Sequence, residues 1–207
     1  MHSLCGVPTS PTVLWFCRDL RLCDHAALAA AWARGGAILP VFILDEAGAG
    51  AWPAGGASRW WLHHSLAALA AALHARGAQL TLAAGPTEEI LAQLVRTTGA
   101  GAVYWQRRYE PALAAQEAAV ARRLADLGVE ARAFPGALLF APETVRNRQG
   151  GPFKVFTPFW RHLQTLPVPA PLEMPDAAWP APECWPASLP LAALSLGISI
   201  PWSAELR

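Results

Sequence analysis

As far as Phe134 the chain alternates short apolar runs with longer Ala/Leu-rich stretches of helical spacing. Val13-Leu14-Trp15-Phe16, Ile38 to Leu44, Gln79 to Ala83, Ala102-Val103-Tyr104-Trp105 and Val129 to Phe134 have the length of strands. The first two are apolar throughout, as strands buried on both faces of a parallel sheet are. Between them, Ala26 to Ala33, Ala57 to Ala75, Glu88 to Arg96 and Ala112 to Leu127 read as helices. Asp24 suits the N-cap of the first, and Arg34-Gly35-Gly36 supplies its C-terminal cation and glycine. The second carries Trp61, Leu62, Leu66, Leu69 and Leu73 mostly at 3- and 4-residue spacing, and Gly77 stops it. Gly85-Pro86-Thr87 opens the third, with acids in its first turn where the helix dipole favours them. This regular β-α alternation with short, right-handed crossovers predicts an α/β fold, a doubly wound five-stranded parallel sheet in the order 3-2-1-4-5 flanked by helices.

The rhythm changes after Pro135. Leu138 to Glu143 reads as an extended edge segment, Asn147 to Gly151 as a polar turn and Phe153 to Phe156 as a short strand. Thr157-Pro158 then opens a short helix carrying Phe159, Trp160 and His162. Pro167 to Pro190 is too rich in proline for helix or central sheet and reads as an extended linker lying along a surface. No complete element is predicted over 191–207, and Trp202 has no evident core to join.

The strand order has a chemical consequence. Ligands of open α/β sheets sit beyond the carboxyl ends of the strands, where the order reverses. Strands 1 and 4 meet there, which sets the charged turn Arg18-Asp19-Leu20-Arg21 beside Gln106-Arg107-Arg108-Tyr109-Glu110, with Asp45 close by. Arg59 stands in the first turn of its helix, where a cation opposes the dipole unless it meets an anion. With Tyr109, Trp60 and Trp105 near, the crevice suits a flat, partly anionic aromatic molecule. The same residues also suit tryptophans in a core and arginines on a solvated rim.

Composition narrows the classes. Sixteen Lys+Arg against fifteen Asp+Glu give a net charge of +1, which is not the footprint of a binder that grips nucleic acid by charge alone. Cys5, Cys17, Cys23 and Cys184 form no zinc pattern and no disulfide framework. Cys17 and Cys23 read as inert thiols, and the adjacent His63 and His64 point to different sides of their helix rather than to one metal. No G-x-G-x-x-G, P-loop or G-x-S-x-G motif occurs. No run is long enough to cross a bilayer and the N-terminus lacks a signal-peptide pattern, so a cytoplasmic location is expected.

Several motifs resemble, in order, those of the DNA photolyase/cryptochrome family. They are Trp15-Phe16-Cys17-Arg18-Asp19-Leu20-Arg21-Leu22 with Asp24, Pro40 to Asp45, Ser58-Arg59-Trp60-Trp61-Leu62, Val103-Tyr104-Trp105 through Tyr109-Glu110-Pro111, and Gly151 to Trp160. The similarity runs from about Pro11 to His162. It departs from the family at Cys17, usually basic, and at His25, usually Asn.

The resemblance implies a division at about residue 163. Residues 11–163 match the family's N-terminal α/β domain, which binds a light-harvesting antenna: a folate, a deazaflavin or a flavin such as FMN. Residues 164–207 match the interdomain connection. The all-helical domain that binds FAD and damaged DNA, and splits pyrimidine dimers with light, would begin where this chain stops. Alone, the chain is expected to repair nothing and to bind no FAD tightly. Arg59 and Glu110 fall at antenna-contacting positions, Phe42, Ile43 and Leu44 on the same pocket, and Arg108 and Tyr109 on the facing turn. Some deazaflavin-binding members carry an acid at the Arg108 position, which argues against that antenna here. The alternatives are a stand-alone nucleotide- or flavin-binding α/β module acting through a partner subunit, and a non-functional fragment.

Overall fold

The computed structural model describes residues 9–50 and 53–196. Strands β1 (Thr12–Phe16), β2 (Ile38–Leu44), β3 (Thr81–Ala84), β4 (Ala102–Gln106) and β5 (Glu130–Phe134) form one sheet. Every pairing is parallel and the order is β3-β2-β1-β4-β5, as the alternation predicts. Helices α1 (Ala26–Arg34), α2 (Gly56–His74), α3 (Thr87–Thr98) and α4 (Pro111–Asp126) make the crossovers.

Side chains alternate across each strand, so the sheet builds two cores. Leu14, Phe16 and Phe42 meet Leu28 of α1 and Leu66, Leu69 and Leu73 of α2. Val13, Trp15, Val41 and Ile43 meet Leu91 of α3 and Val120 and Leu124 of α4 on the opposite face. Central β1 is buried along its whole length, whereas β5 exposes Glu130 and Arg132. A charged edge strand of this kind discourages pairing with another chain.

Three local expectations are corrected. The cap of α1 is His25, whose Nδ1 accepts the Leu28 amide at 3.1 Å. Asp24 stands one residue too early, at φ +48°. It holds the tail instead: its amide donates to Leu172 O (2.9 Å) and its Oδ1 accepts the Leu172 amide (3.1 Å). Residues 153–156 form no strand, and α5 runs from Phe156 to Leu163 with Val155 as its cap residue. Helix α5 takes Phe156 itself, and the three residues left are too few to pair as a strand. Residues 138–143 are bends and turns rather than an extended edge. The 147–151 turn forms as expected, with Asn147 Oδ1 accepting the Gln149 and Gly151 amides at 2.9 and 3.0 Å.

The Pro-rich tail lies along the surface, and it also enters the core. Trp179 is 5% exposed and packs edge-on against Trp32, with Leu194 and Leu196 buried in the same cluster. A short 3-10 turn at Leu191–Leu194 positions those leucines. Along the free edge of β3, Ser188 Oγ accepts the Leu82 amide (2.9 Å) and the Leu189 amide donates to Leu82 O (2.8 Å). Trp202 and the rest of 197–207 lie outside the described residues.

Candidate functional site at the carboxyl ends of the strands

Pairing of β1 with β4, in the register Trp15 opposite Trp105, brings the first and fourth turns together. Arg18 Nη1 lies 2.5 Å from Glu110 Oε1. Both groups are at least half exposed, so the pair adds under about 1 kcal/mol. Its meaning is geometric, because it marks the switch point as one surface.

Arg59, in the first turn of α2, finds an anion as its unfavourable place on the dipole requires. Its Nη1 pairs with Glu46 and its Nη2 donates to Ser195 O at 3.1 Å. One guanidinium thus ties the turn after β2, the start of α2 and the tail.

The pleat divides the other candidates. Phe42 and Leu44 face α1 and α2, while Ile43 faces α3 and α4. Arg108 goes with Ile43's side. Its guanidinium carbon sits 4.9 Å from the Trp15 ring centroid. Its Nε and backbone amide donate to Glu117 Oε1 (2.8 and 2.9 Å), and its Nη2 donates to Gln116 Oε1 (2.9 Å). Tyr109 is partly buried, and that burial, with the Glu143 carboxylate near it, raises its phenol pKa. The structure therefore groups Phe42, Leu44 and Arg59 on one side of the sheet, Ile43 and Arg108 on the other, and Glu110 with Arg18 at the rim.

Trp105 contacts Trp15 at 5.7 Å between centroids and is core, as is Trp60 at 7% exposure. Cys17 is buried and its thiol pKa is pushed well up by desolvation, which makes it a poor nucleophile. Among the described residues no His, Cys, Asp and Glu group could hold a metal ion, and no helix is long and apolar enough to cross a membrane.

Two polar clusters carry the turns, and sequence reasoning found neither. Asp19 Oδ1 accepts the Cys17 amide (2.9 Å), while Asp19 Oδ2 lies 2.7 Å from His25 Nε2. Buried Gln106 completes this cluster, its amide nitrogen donating to Asp19 Oδ2 and its oxygen accepting the Ala26 amide. Asp45 ties its own turn to α3 and α4 through four hydrogen bonds: it accepts the Gly48 amide (2.9 Å), the Thr87 amide (2.9 Å), the Thr87 hydroxyl (3.0 Å) and Gln116 Nε2 (2.8 Å). An acid at the carboxyl end of an apolar strand is a visible signal, but Gln116 in mid-helix gives none.

Burial alone would raise the Asp45 pKa; the four hydrogen bonds outweigh it and lower the pKa below 3.8. A carboxyl whose folded pKa lies below its unfolded value stabilises the fold above the unfolded pKa and loses that contribution as pH falls through the folded one. Asp45→Asn should therefore flatten the stability profile below about pH 4 and cost about 1–3 kcal/mol at pH 7. Urea unfolding of both chains at pH 7 and pH 3 checks this, and an unchanged acid slope refutes it.

The comparisons with known proteins agree with this architecture. The DNA photolyase family matches residues 12–178. A deoxyribodipyrimidine photo-lyase of Agrobacterium fabrum (strain C58) is 44% identical over 183 residues, 88% of this chain and 38% of that protein. The crystal structure of a bacterial class III photolyase from Agrobacterium tumefaciens matches at a TM-score of 0.89 and 42% identity, over 99% of this chain and 42% of that one. An archaeal photolyase from Sulfolobus tokodaii, described with two FAD molecules and a novel light-harvesting cofactor, shares the fold at a TM-score of 0.77 and 22% identity, over 92% of this chain and 42% of that one. The chain spans less than half the length of these proteins. With the family matched over most of its length, on the sheet order that its own residues dictate, this chain belongs to the DNA photolyase family and corresponds to the N-terminal α/β domain of its members.

Proposed function

We propose that the domain holds a light-harvesting chromophore at the carboxyl ends of its strands and passes excitation to an FAD-binding helical domain. The observation that carries this reading is that the turns after β1 and β4 meet at the Arg18–Glu110 pair, with the neighbouring end of β2 leading to the Arg59–Glu46 pair. Phe42, Leu44 and Arg59 form the α1–α2 side of the site, with Tyr109 and Glu110 at its rim. Ile43 and Arg108 act from the far side, as the packed layer that fixes the β4 turn. Arg59, partly exposed, offers charge to an anionic folate, deazaflavin or FMN, while the apolar strand ends accept the ring.

The helical domain has a surface to meet. Helix α5 buries none of its residues, and Phe156 (70% exposed) and Trp160 (49%) stack at 8° between ring planes. Exposed aromatics grouped in this way mark interaction surfaces. Damaged DNA is reached only through that partner domain.

Absorption titration of the purified chain with a folate, a deazaflavin and FMN tests the reading. One of the three should give a saturable spectral shift, and Arg59→Ala should weaken it about tenfold or more, the effect of losing one charge-assisted hydrogen bond. Illumination of the chain alone should leave pyrimidine dimers intact. Absence of a saturable shift with all three chromophores sinks the proposal.

A further inference from the structure

No side chain caps the N-terminus of α2, and no acid stands in its first turn. That end of the helix and Arg59 therefore both favour an anion. The anion comes from outside the helix: Arg59 Nη1 donates to the Glu46 carboxylate. The other arm of the guanidinium, Nη2, donates to Ser195 O at 3.1 Å. These two partners differ in how firmly they are placed. Ser195 lies between Leu194 and Leu196, 2% and 1% exposed, so its carbonyl is held by the core. The Glu46 side chain is 60% exposed and reaches Arg59 from an exposed turn. Asp45, beside it, turns away to Thr87 and Gln116.

We propose, on the basis of the chromophore reading above, that Glu46 gates the site and sets how strongly it prefers anionic over uncharged ring systems. A chromophore anion approaching Arg59 finds the guanidinium already neutralised and a carboxylate on the same group. Two anions at one guanidinium repel, and Glu46 is the one that can swing into water, at the cost of a surface ion pair only. Ser195 O stays on Nη2 and keeps the guanidinium aimed while Nη1 changes partner. The exchange is one anion for another, so a ligand gains little from its charge while Glu46 is present. An uncharged ring leaves the Arg59–Glu46 pair intact and binds through the apolar strand ends alone.

Glu46→Gln removes the competing charge at an exposed position, where substitution leaves the fold intact. A folate, a deazaflavin and FMN are titrated by absorption against the parent chain and this variant, with riboflavin as the uncharged control that shares the ring of FMN. Each anionic chromophore that binds the parent should bind Glu46→Gln about three- to fivefold tighter, the release of one exposed ion pair. Riboflavin should bind both chains equally. With Arg59→Ala also present, the gain should fall below about twofold, because the group that Glu46 occupies is gone. Equal binding of an anionic chromophore by the parent and Glu46→Gln overturns the gate and leaves the chromophore reading standing. A gain shared by riboflavin also overturns it, since that gain comes from a looser turn and not from charge. No binding of any of the three anionic chromophores to either chain overturns both.

Discussion

Replacing Trp179 by alanine will lower the unfolding free energy by about 3–5 kcal/mol, the usual cost of emptying a buried aromatic site. The residue sits in a stretch whose composition reads as a surface linker, yet it closes the α1–α2 core. Its ring meets Trp32 at 5.6 Å and nearly perpendicular, an arrangement that stabilises beyond area alone. Its Nε1 donates to Ile38 O at 3.0 Å, and the Ile38 amide donates to Pro180 O at 2.8 Å. The tail and the first residue of β2 thus satisfy each other's backbone groups. Loss of the indole opens a cavity and leaves a carbonyl without its donor. Trp179→Phe should cost less, about 1–2 kcal/mol, since most of the ring volume stays and one hydrogen bond goes. Urea denaturation of the three chains decides it; a Trp179→Ala loss under about 1 kcal/mol would show that the tail is only draped over the sheet.

The contrast between tail and sheet shows what a sequence can carry. Strand order was legible because each β-α unit is local: an apolar run, a turn and an amphipathic stretch, joined by a crossover of fixed hand. The Arg18–Glu110 contact followed from that order alone, although 92 residues separate the partners. Arg59 was legible through the dipole, which demanded an anion and found Glu46. Trp179 was not, because prolines carry no periodicity and one large side chain among them leaves no pattern. The cap of α1 failed for a subtler reason. Asp24 and His25 both accept hydrogen bonds, and the backbone at Asp24, in the left-handed region, decided between them. Arg108 looked like a ligand-facing cation from its turn, but the pleat turned it onto Trp15 and Glu117. Which side of a sheet a loop residue takes depends on the last strand residue's phase, and a slip of one position reverses it.

Removing the carboxylate of Glu117 should be the second severe change, because it strands the Arg108 guanidinium. The two side chains are 12% and 8% exposed and joined at 2.8 Å, with Trp15 beneath the guanidinium. A buried charge deprived of its partner costs about 3–5 kcal/mol, more than the intact pair contributes. Glu117→Ala should fall at the lower end, about 3 kcal/mol, because Gln116 Oε1 and the Leu113 carbonyl still accept from Arg108. The Arg108 backbone amide also loses its acceptor, so the β4 turn loosens with the side chain. Glu117→Gln keeps an acceptor and should lose about half as much. The sharper test is the double substitution Arg108→Met with Glu117→Leu, which removes both charges and keeps the volume. If desolvation governs this pair, that chain should lie within about 1 kcal/mol of the parent and clearly above Glu117→Ala. If instead the double substitution costs the sum of the single ones, Arg108 and Glu117 act independently and desolvation does not govern the pair.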